Sequence, residues 1–128
     1  MVRETQKIFH DSTLPITATT VRVPVYNGHS ESVYVETERK LTASETRELL
    51  GSAPGIVLVD DPASGRYITP REVTGRDEVF VSRVREDPFI EKGLSFWVVA
   101  DNLLKGAATN AVQIAEELIR RDRVHSAG

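Results

Sequence analysis

The sequence predicts an α+β domain in which a mixed, largely antiparallel sheet has helices packed on one face. Alternating or continuous apolar runs typical of strands occur at residues 16–26, 32–38, 56–59, 79–84 and 94–100. Residues 105–121 instead carry apolar side chains at helical spacing, with polar residues on the opposite side. We expect a single domain over residues 1–128, with a frayed tail at about residues 123–128.

The N-terminal part begins with residues of helix-forming composition at positions 2–9 and no capping residue before them, as if the chain started inside a helix. Residues 16–26 place Val21, Val23 and Val25 on one face, which predicts a half-buried strand. Pro24 makes that strand an edge or a bulge. The turn signal Asn27-Gly28 then predicts a reversal or kink before the second strand.

The middle and C-terminal parts predict the remaining elements. Thr42 to Glu45 fits a capping box, which opens a short helix that Gly51 and Pro54 close. The run at residues 56–59 predicts a buried strand that ends in a turn, and the strands at 79–84 and 94–100 are expected to pair antiparallel. A final helix follows over residues 105–121.

Composition and charge exclude several classes of function. The 16 basic and 19 acidic residues give a net charge of −3 and are scattered, which argues against a nucleic-acid partner. The absence of cysteine excludes a disulfide, a cysteine-ligated metal and a thiol nucleophile from this chain. The three histidines are far apart, and no phosphate-binding glycine-rich motif occurs, so we expect no metal site and no nucleotide-binding fold. Without a membrane-spanning or signal segment, the expected location is the cytoplasm.

Three positions could carry chemistry, and each has a structural alternative. His29 follows Gly28 in a turn, where its imidazole could act as an acid/base group, although a histidine in a polar loop is more often a solvated surface residue. Arg22 could bind a carboxylate or phosphate, or could be an exposed cation paired with a glutamate. A bend at Asn27-Gly28 would bring these two side chains together. Residues 101–108 join a strand to a helix, and their backbone N–H groups could bind an anion or a cofactor amide; alternatively, Asp101 or Asn102 could cap the helix.

Several motifs resemble, in order, the C-terminal domain of the aspartate-semialdehyde dehydrogenase family. They are TATTVRVPV at 17–25, GHSESV at 28–33, VSRVRED at 81–87, WVVADNLLKGAA at 97–108 and NAVQIAE at 110–116. The resemblance implies a glyceraldehyde-3-phosphate-dehydrogenase-like C-terminal domain, which helps form a homodimer through its sheet. It also implies the interconversion of L-aspartyl 4-phosphate and L-aspartate 4-semialdehyde with NADP(H) and phosphate, on the route to lysine, threonine, methionine and diaminopimelate.

The resemblance assigns roles to three side chains. His29 matches the acid/base residue that serves a cysteine nucleophile, Arg22 matches the residue that binds the substrate carboxylate, and Asn110 matches a contact to the nicotinamide end of NADP. The family's NADP-binding half, its catalytic cysteine and two further substrate contacts are expected before residue 1. Thr20 replaces a cysteine that is common in the family and is not the nucleophile.

The sequence therefore predicts a substrate and dimerisation domain that is inactive alone and needs an N-terminal NADP-binding half. Two alternatives remain. One is a non-catalytic paralogue kept for assembly or ligand binding. The other is a related N-acetylglutamyl-phosphate reductase domain, although the motifs at 28–31 and 101–106 look less like that family.

Overall fold

The computed structural model describes residues 1–121, and the expected frayed tail lies outside them. The helices are α1 (Val2–Ile8), α2 (Ala43–Ser52), α3 (Pro70–Val73) and α4 (Thr109–Arg120). The strands are β1 (His29–Glu36), β2 (Ile56–Leu58), β3 (Val79–Glu86) and β4 (Gly93–Ala100). A π-helical turn, Leu104–Ala108, precedes α4.

The four strands form one sheet in the order β1-β4-β3-β2. β4 pairs antiparallel with both β1 and β3, whereas β2 pairs parallel with β3. The parallel pair requires a crossover, and the short helix α3 lies within the chain segment that connects β2 to β3. The predicted mixed, largely antiparallel sheet and the antiparallel β3–β4 pair are confirmed.

The main core lies on one face of this sheet. Phe80 and Val99 are opposite each other on β3 and β4, and the segment before β3 covers them with Ile68 and Val73. All four side chains are at most 4% exposed. The short helix α3 that carries Val73 was not predicted, although Thr69, Pro70 and Glu72 form a capping box with proline at the first helical position.

The predicted strand at residues 16–26 is wrong. This segment is irregular, and it makes no ladder hydrogen bonds within the described part of the chain. Val21, Val23 and Val25 are 78%, 54% and 47% exposed, so the alternation does not reflect burial in this structure. A strand needs a partner for its backbone groups, and here the segment has none among residues 1–121.

The remaining predicted elements are confirmed with small changes of boundary. Thr42 caps α2 with the complete capping box, and the second predicted strand begins earlier, at His29. The last helix begins as a π-helical turn because the Gly106 and Ala108 amides reach back five residues, to the carbonyls of Asp101 and Leu103. No helix of residues 1–121 is long and apolar enough to cross a membrane.

Candidate functional site

The site begins where the irregular segment joins β1. Gly28 has a φ of +95°, which favours glycine, and a Cβ there would lie 3.1 Å from the Cβ of Pro70. The Gly28 amide donates to Oδ1 of Asn102 at 2.8 Å, 74 residues along the chain. This backbone turn and its hydrogen bond place His29 at the first position of β1, opposite Ala100 at the end of β4.

The expected bend does bring Arg22 and His29 to one groove. Both residues line a groove of ≈ 350 Å³. The irregular segment forms most of its wall, and Asn102 closes one side; the full lining is Thr20, Val21, Arg22, Val23, Val25, Tyr26, Asn27, Gly28, His29 and Asn102. Arg22 and His29 are both exposed, so each can reach a solute in the groove.

A second, smaller cavity adjoins His29 on its other side. It has a volume of ≈ 110 Å³ and extends from β1 and the end of β4 to the π-helical turn. Besides His29, the cavity is lined by the charged residues Glu31, Asp101 and Lys105. Glu31 lies two residues after His29 and therefore on the same face of β1, a spacing visible in the sequence that had not been used to assign it a role.

The loop behind this cavity is fixed by a buried carboxylate. Asp101 is 3% exposed. Its Oδ2 accepts from the Gly75 amide at 2.9 Å, and its Oδ1 accepts from the amides of Leu103 and Leu104 at 2.8 and 3.3 Å. The hydrogen bonds from Gly75 and Leu103 outweigh the effect of burial, and with that from Leu104 they lower the pKa of Asp101. The capping role considered for this junction belongs to Asp101, whereas Asn102 binds Gly28.

Lys105 and Asn110 lie beyond this loop. The Lys105 ammonium group donates to Oε1 of Gln113 one turn into α4. Asn110 is exposed on the first turn of α4, and it lines neither the groove nor the cavity. The structure therefore brings Arg22 and His29 together and leaves Asn110 apart from them. Among residues 1–121, no group of three or more potential metal ligands is clustered.

Comparison with known proteins identifies the family to which this chain is similar. Residues 1–105 match the family described as "Semialdehyde dehydrogenase, dimerisation domain". The chain is 54% identical over 120 residues to the aspartate-semialdehyde dehydrogenase of Aquifex aeolicus, a match that covers 94% of this chain and 35% of the relative. It is 50% identical over 119 residues to that of Bacillus subtilis, covering 92% of this chain and 34% of the relative.

A solved structure agrees with these matches. The aspartate semialdehyde dehydrogenase II of Vibrio cholerae, complexed with ASA, superposes with a TM-score of 0.86 at 48% identity and covers 94% of this chain and 35% of that one. The predicted fold class and the resemblance are confirmed, and neither the reductase nor the non-catalytic alternative is favoured. The chain spans about 35% of the length of the relatives it matches. It belongs to the semialdehyde dehydrogenase dimerisation-domain family.

Proposed function

We propose that this chain is the substrate-binding and dimerisation domain of a cytoplasmic, NADP-dependent aspartate-semialdehyde dehydrogenase. In this proposal L-aspartate 4-semialdehyde, phosphate and NADP are converted to L-aspartyl 4-phosphate and NADPH. The observation that carries the proposal is the groove with Arg22 and His29 on its walls. The identity of 46–54% to the curated dehydrogenases of this name supports the assignment.

Arg22 is proposed to bind the substrate carboxylate. Its planar guanidinium can form two parallel hydrogen bonds to one carboxylate, which fixes both the position and the orientation of a small substrate. The groove of ≈ 350 Å³ has room for an amino-acid-sized molecule. Arg22 forms no ion pair within residues 1–121, so its charge is available to the substrate.

His29 is proposed to act as the acid/base residue for a cysteine that this chain does not contain. An imidazole can take the proton of a thiol as the sulfur attacks the aldehyde carbon and can return a proton later in the cycle. His29 suits this role because it is exposed at a fixed point, held between the Gly28 hydrogen bond and the first pair of the β1–β4 ladder. No side-chain hydrogen bond to His29 forms within residues 1–121, so its ring nitrogens are free for the reacting groups.

NADP, when bound, supplies the group that accepts the hydride. This chain's candidate contact to it is Asn110, whose exposed amide can both donate and accept a hydrogen bond, as a carboxamide partner requires. In this proposal, the contribution of this chain to the cofactor site is therefore a contact to the nicotinamide end of NADP. The remainder of the NADP site is proposed to lie in an N-terminal half with which this domain assembles.

The large exposed surface area of this chain supports a domain whose surface is partly buried by other domains or subunits in its assembly. The chain exposes 9981 Å², whereas a compact monomer of its mass exposes roughly 6,800 Å². Apolar side chains of α4 contribute to this excess, among them Val112, Ile114 and Ile119, which are 58%, 53% and 66% exposed. We propose that an NADP-binding half and a second copy of this domain cover these surfaces, the second copy by packing on the sheet.

Reconstitution of activity from two separately expressed halves tests the proposal. This chain would be combined with a separately expressed, cysteine-containing NADP-binding half, and NADPH formation followed with aspartate semialdehyde and phosphate. We expect activity only in the mixture, its loss with His29→Ala or Arg22→Ala, and full activity with the controls His10→Ala and Arg71→Ala, which lie outside the groove. Halves that associate and bind NADP but show no activity would contradict the proposal.

A further inference from the structure

The groove and the smaller cavity meet at the side chain of His29. His29 lines both spaces, whereas Arg22 lines only the groove and Glu31 lines only the cavity. The two ring nitrogens of an imidazole point in different directions, so one can serve a reacting group in the groove while the other reaches into the cavity. The cavity therefore borders the proposed acid/base residue on the side that the proposed reaction does not use.

Glu31 lies on the same face of β1 as His29. Their partners on β4, Val98 and Ala100, line the same cavity. Two residues along a strand correspond to about 6.8 Å between Cα atoms, a separation that a glutamate and a histidine span when they lean towards each other. Both side chains are exposed, so both are free to rotate towards the cavity.

The other charged groups of the cavity already have partners within the chain. Asp101 is buried, and its carboxylate accepts hydrogen bonds from three backbone amides. The Lys105 ammonium group donates to Gln113 on α4. Glu31 forms no hydrogen bond and no ion pair within residues 1–121. Its carboxylate is therefore available to the ring N–H of His29.

We propose that Glu31 is a positioning residue for His29, whose cavity-side ring N–H donates a hydrogen bond to the Glu31 carboxylate in the assembled enzyme. This contact fixes the orientation and the tautomer of the imidazole, so that the other ring nitrogen presents its lone pair to the groove. Glu31 stays ionised and takes no proton itself. The inference rests on the proposed function, in which His29 is the acid/base residue.

The charge of Glu31 also suits the proton transfer proposed for His29. When the imidazole takes the proton of a thiol it becomes positively charged, and a carboxylate within hydrogen-bond distance stabilises this form. The cavity is open to water in this chain. An NADP-binding half that covers it would exclude water, which strengthens both the hydrogen bond and the interaction between the two charges.

Substitutions of Glu31 test the contact in the mixture of this chain with the NADP-binding half. Glu31→Gln keeps the shape of the side chain and removes its charge. We expect it to lower kcat by about 10–10²-fold, because it removes part of the acid/base contribution, and to leave the KM values for aspartate semialdehyde and NADP unchanged. Glu31→Asp keeps the charge and should recover part of kcat. Glu48→Gln, exposed on α2 and outside both spaces, is the matched control and should equal the parent.

The pH profile separates a positioning role from a purely structural one. The charged groups that border these spaces around His29 are Glu31 on β1, Asp101 and Lys105 after β4, and Arg22 on the irregular segment. Loss of the Glu31 charge disfavours the imidazolium, so the neutral base persists to lower pH. The acid limb of kcat/KM should therefore move to lower pH in Glu31→Gln and stay in place in Glu31→Asp. A Glu31→Gln variant with the parent kcat, or one acid limb shared by all variants, would overturn the proposal.

Nuclear magnetic resonance gives a second measurement that does not need turnover. Because the halves are expressed separately, only this chain would carry isotopically labelled histidine, and His29→Gln identifies the ring signals of His29 among those of three histidines. In the mixture with NADP we expect a hydrogen-bonded ring N–H signal of His29 that is lost in Glu31→Gln and kept in Glu48→Gln. A signal that persists unchanged in Glu31→Gln would overturn the contact. An inactive mixture in which this signal depends on Glu31 would remove the proposed function and leave the pair standing.

Discussion

The side-chain oxygen of Asn102 accepts a hydrogen bond from the Gly28 amide at 2.8 Å, and this contact joins the entry of β1 to the exit of β4. It fixes the backbone one residue before His29. The position of the candidate acid/base residue therefore depends on a loop that is distant in sequence.

Removing this acceptor should destabilise the fold. Asn102→Ala leaves the partly buried Gly28 amide without its partner, which we expect to lower the free energy of unfolding by about 1–2 kcal/mol. Urea denaturation measures the change. Asn27→Ala is the control, because Asn27 lies beside Gly28 and its side chain makes no hydrogen bond within residues 1–121. Equal effects of the two substitutions would contradict the role given to Asn102.

Gly28 should tolerate substitution less well than another glycine with positive φ. Gly28→Ala carries both the strain of its φ of +95° and a contact of 3.1 Å with Pro70, whereas Gly55→Ala, at φ +76°, meets nothing within 4 Å. Strain alone costs about 1–2 kcal/mol, so we expect Gly28→Ala to exceed Gly55→Ala in its loss of unfolding free energy. Thermal and urea denaturation of both variants would measure this, and a larger loss for Gly55→Ala would be incompatible with the packing described.

Asp101 should make stability depend on pH in acid. Hydrogen bonds from Gly75, Leu103 and Leu104 lower its pKa below the usual value of 3.8, so the folded state favours the charged carboxylate. That contribution is present above the unfolded pKa and is lost as the pH falls through the lower folded pKa. Asp101→Asn should therefore reduce stability at neutral pH and flatten the dependence of unfolding free energy on pH below about pH 4. An unchanged slope in Asp101→Asn would count against this account.

Asn110 can be tested separately from the groove. If its amide contacts the nicotinamide end of NADP, Asn110→Ala should raise the KM for NADP severalfold and leave the KM for aspartate semialdehyde unchanged. Steady-state kinetics on the mixed halves would measure both constants. Asn110→Asp keeps the acceptor oxygen and removes the donor, so it shows which group the cofactor uses. An effect on the semialdehyde alone would remove Asn110 from the cofactor site.

Local sequence patterns predicted much of this fold, whereas contacts between residues far apart in the sequence were not predicted. The Thr42 capping box located α2, and two β-rich runs with a polar link predicted the β3–β4 pair. The alternation of Val21, Val23 and Val25 gave a false strand, because periodicity does not reveal whether a partner is present. Local pattern also could not show that Asp101 would bind Gly75, since 26 residues separate them.

The same distinction between local patterns and long-range contacts applies to the candidate site. Arg22 and His29 were candidates from their residue types and positions, and the family resemblance gave them roles. Whether they share a groove depended on the bend at Gly28, which the sequence left open. The cavity that joins Glu31 and Lys105 to His29 required the π-helical turn and the register of β1 on β4. Neither follows from the local sequence pattern.

The most direct test of the central claim uses a chimera in which this chain replaces the matching third of the Vibrio cholerae relative. The kcat of this chimera would be measured with aspartate semialdehyde, phosphate and NADP. The chimera should be active, and His29→Gln should lower kcat by about 10²–10⁴-fold with little change in the KM for the semialdehyde, whereas His10→Gln should match the parent chimera. An active chimera whose His29→Gln variant keeps kcat within a few fold would contradict the acid/base role of His29.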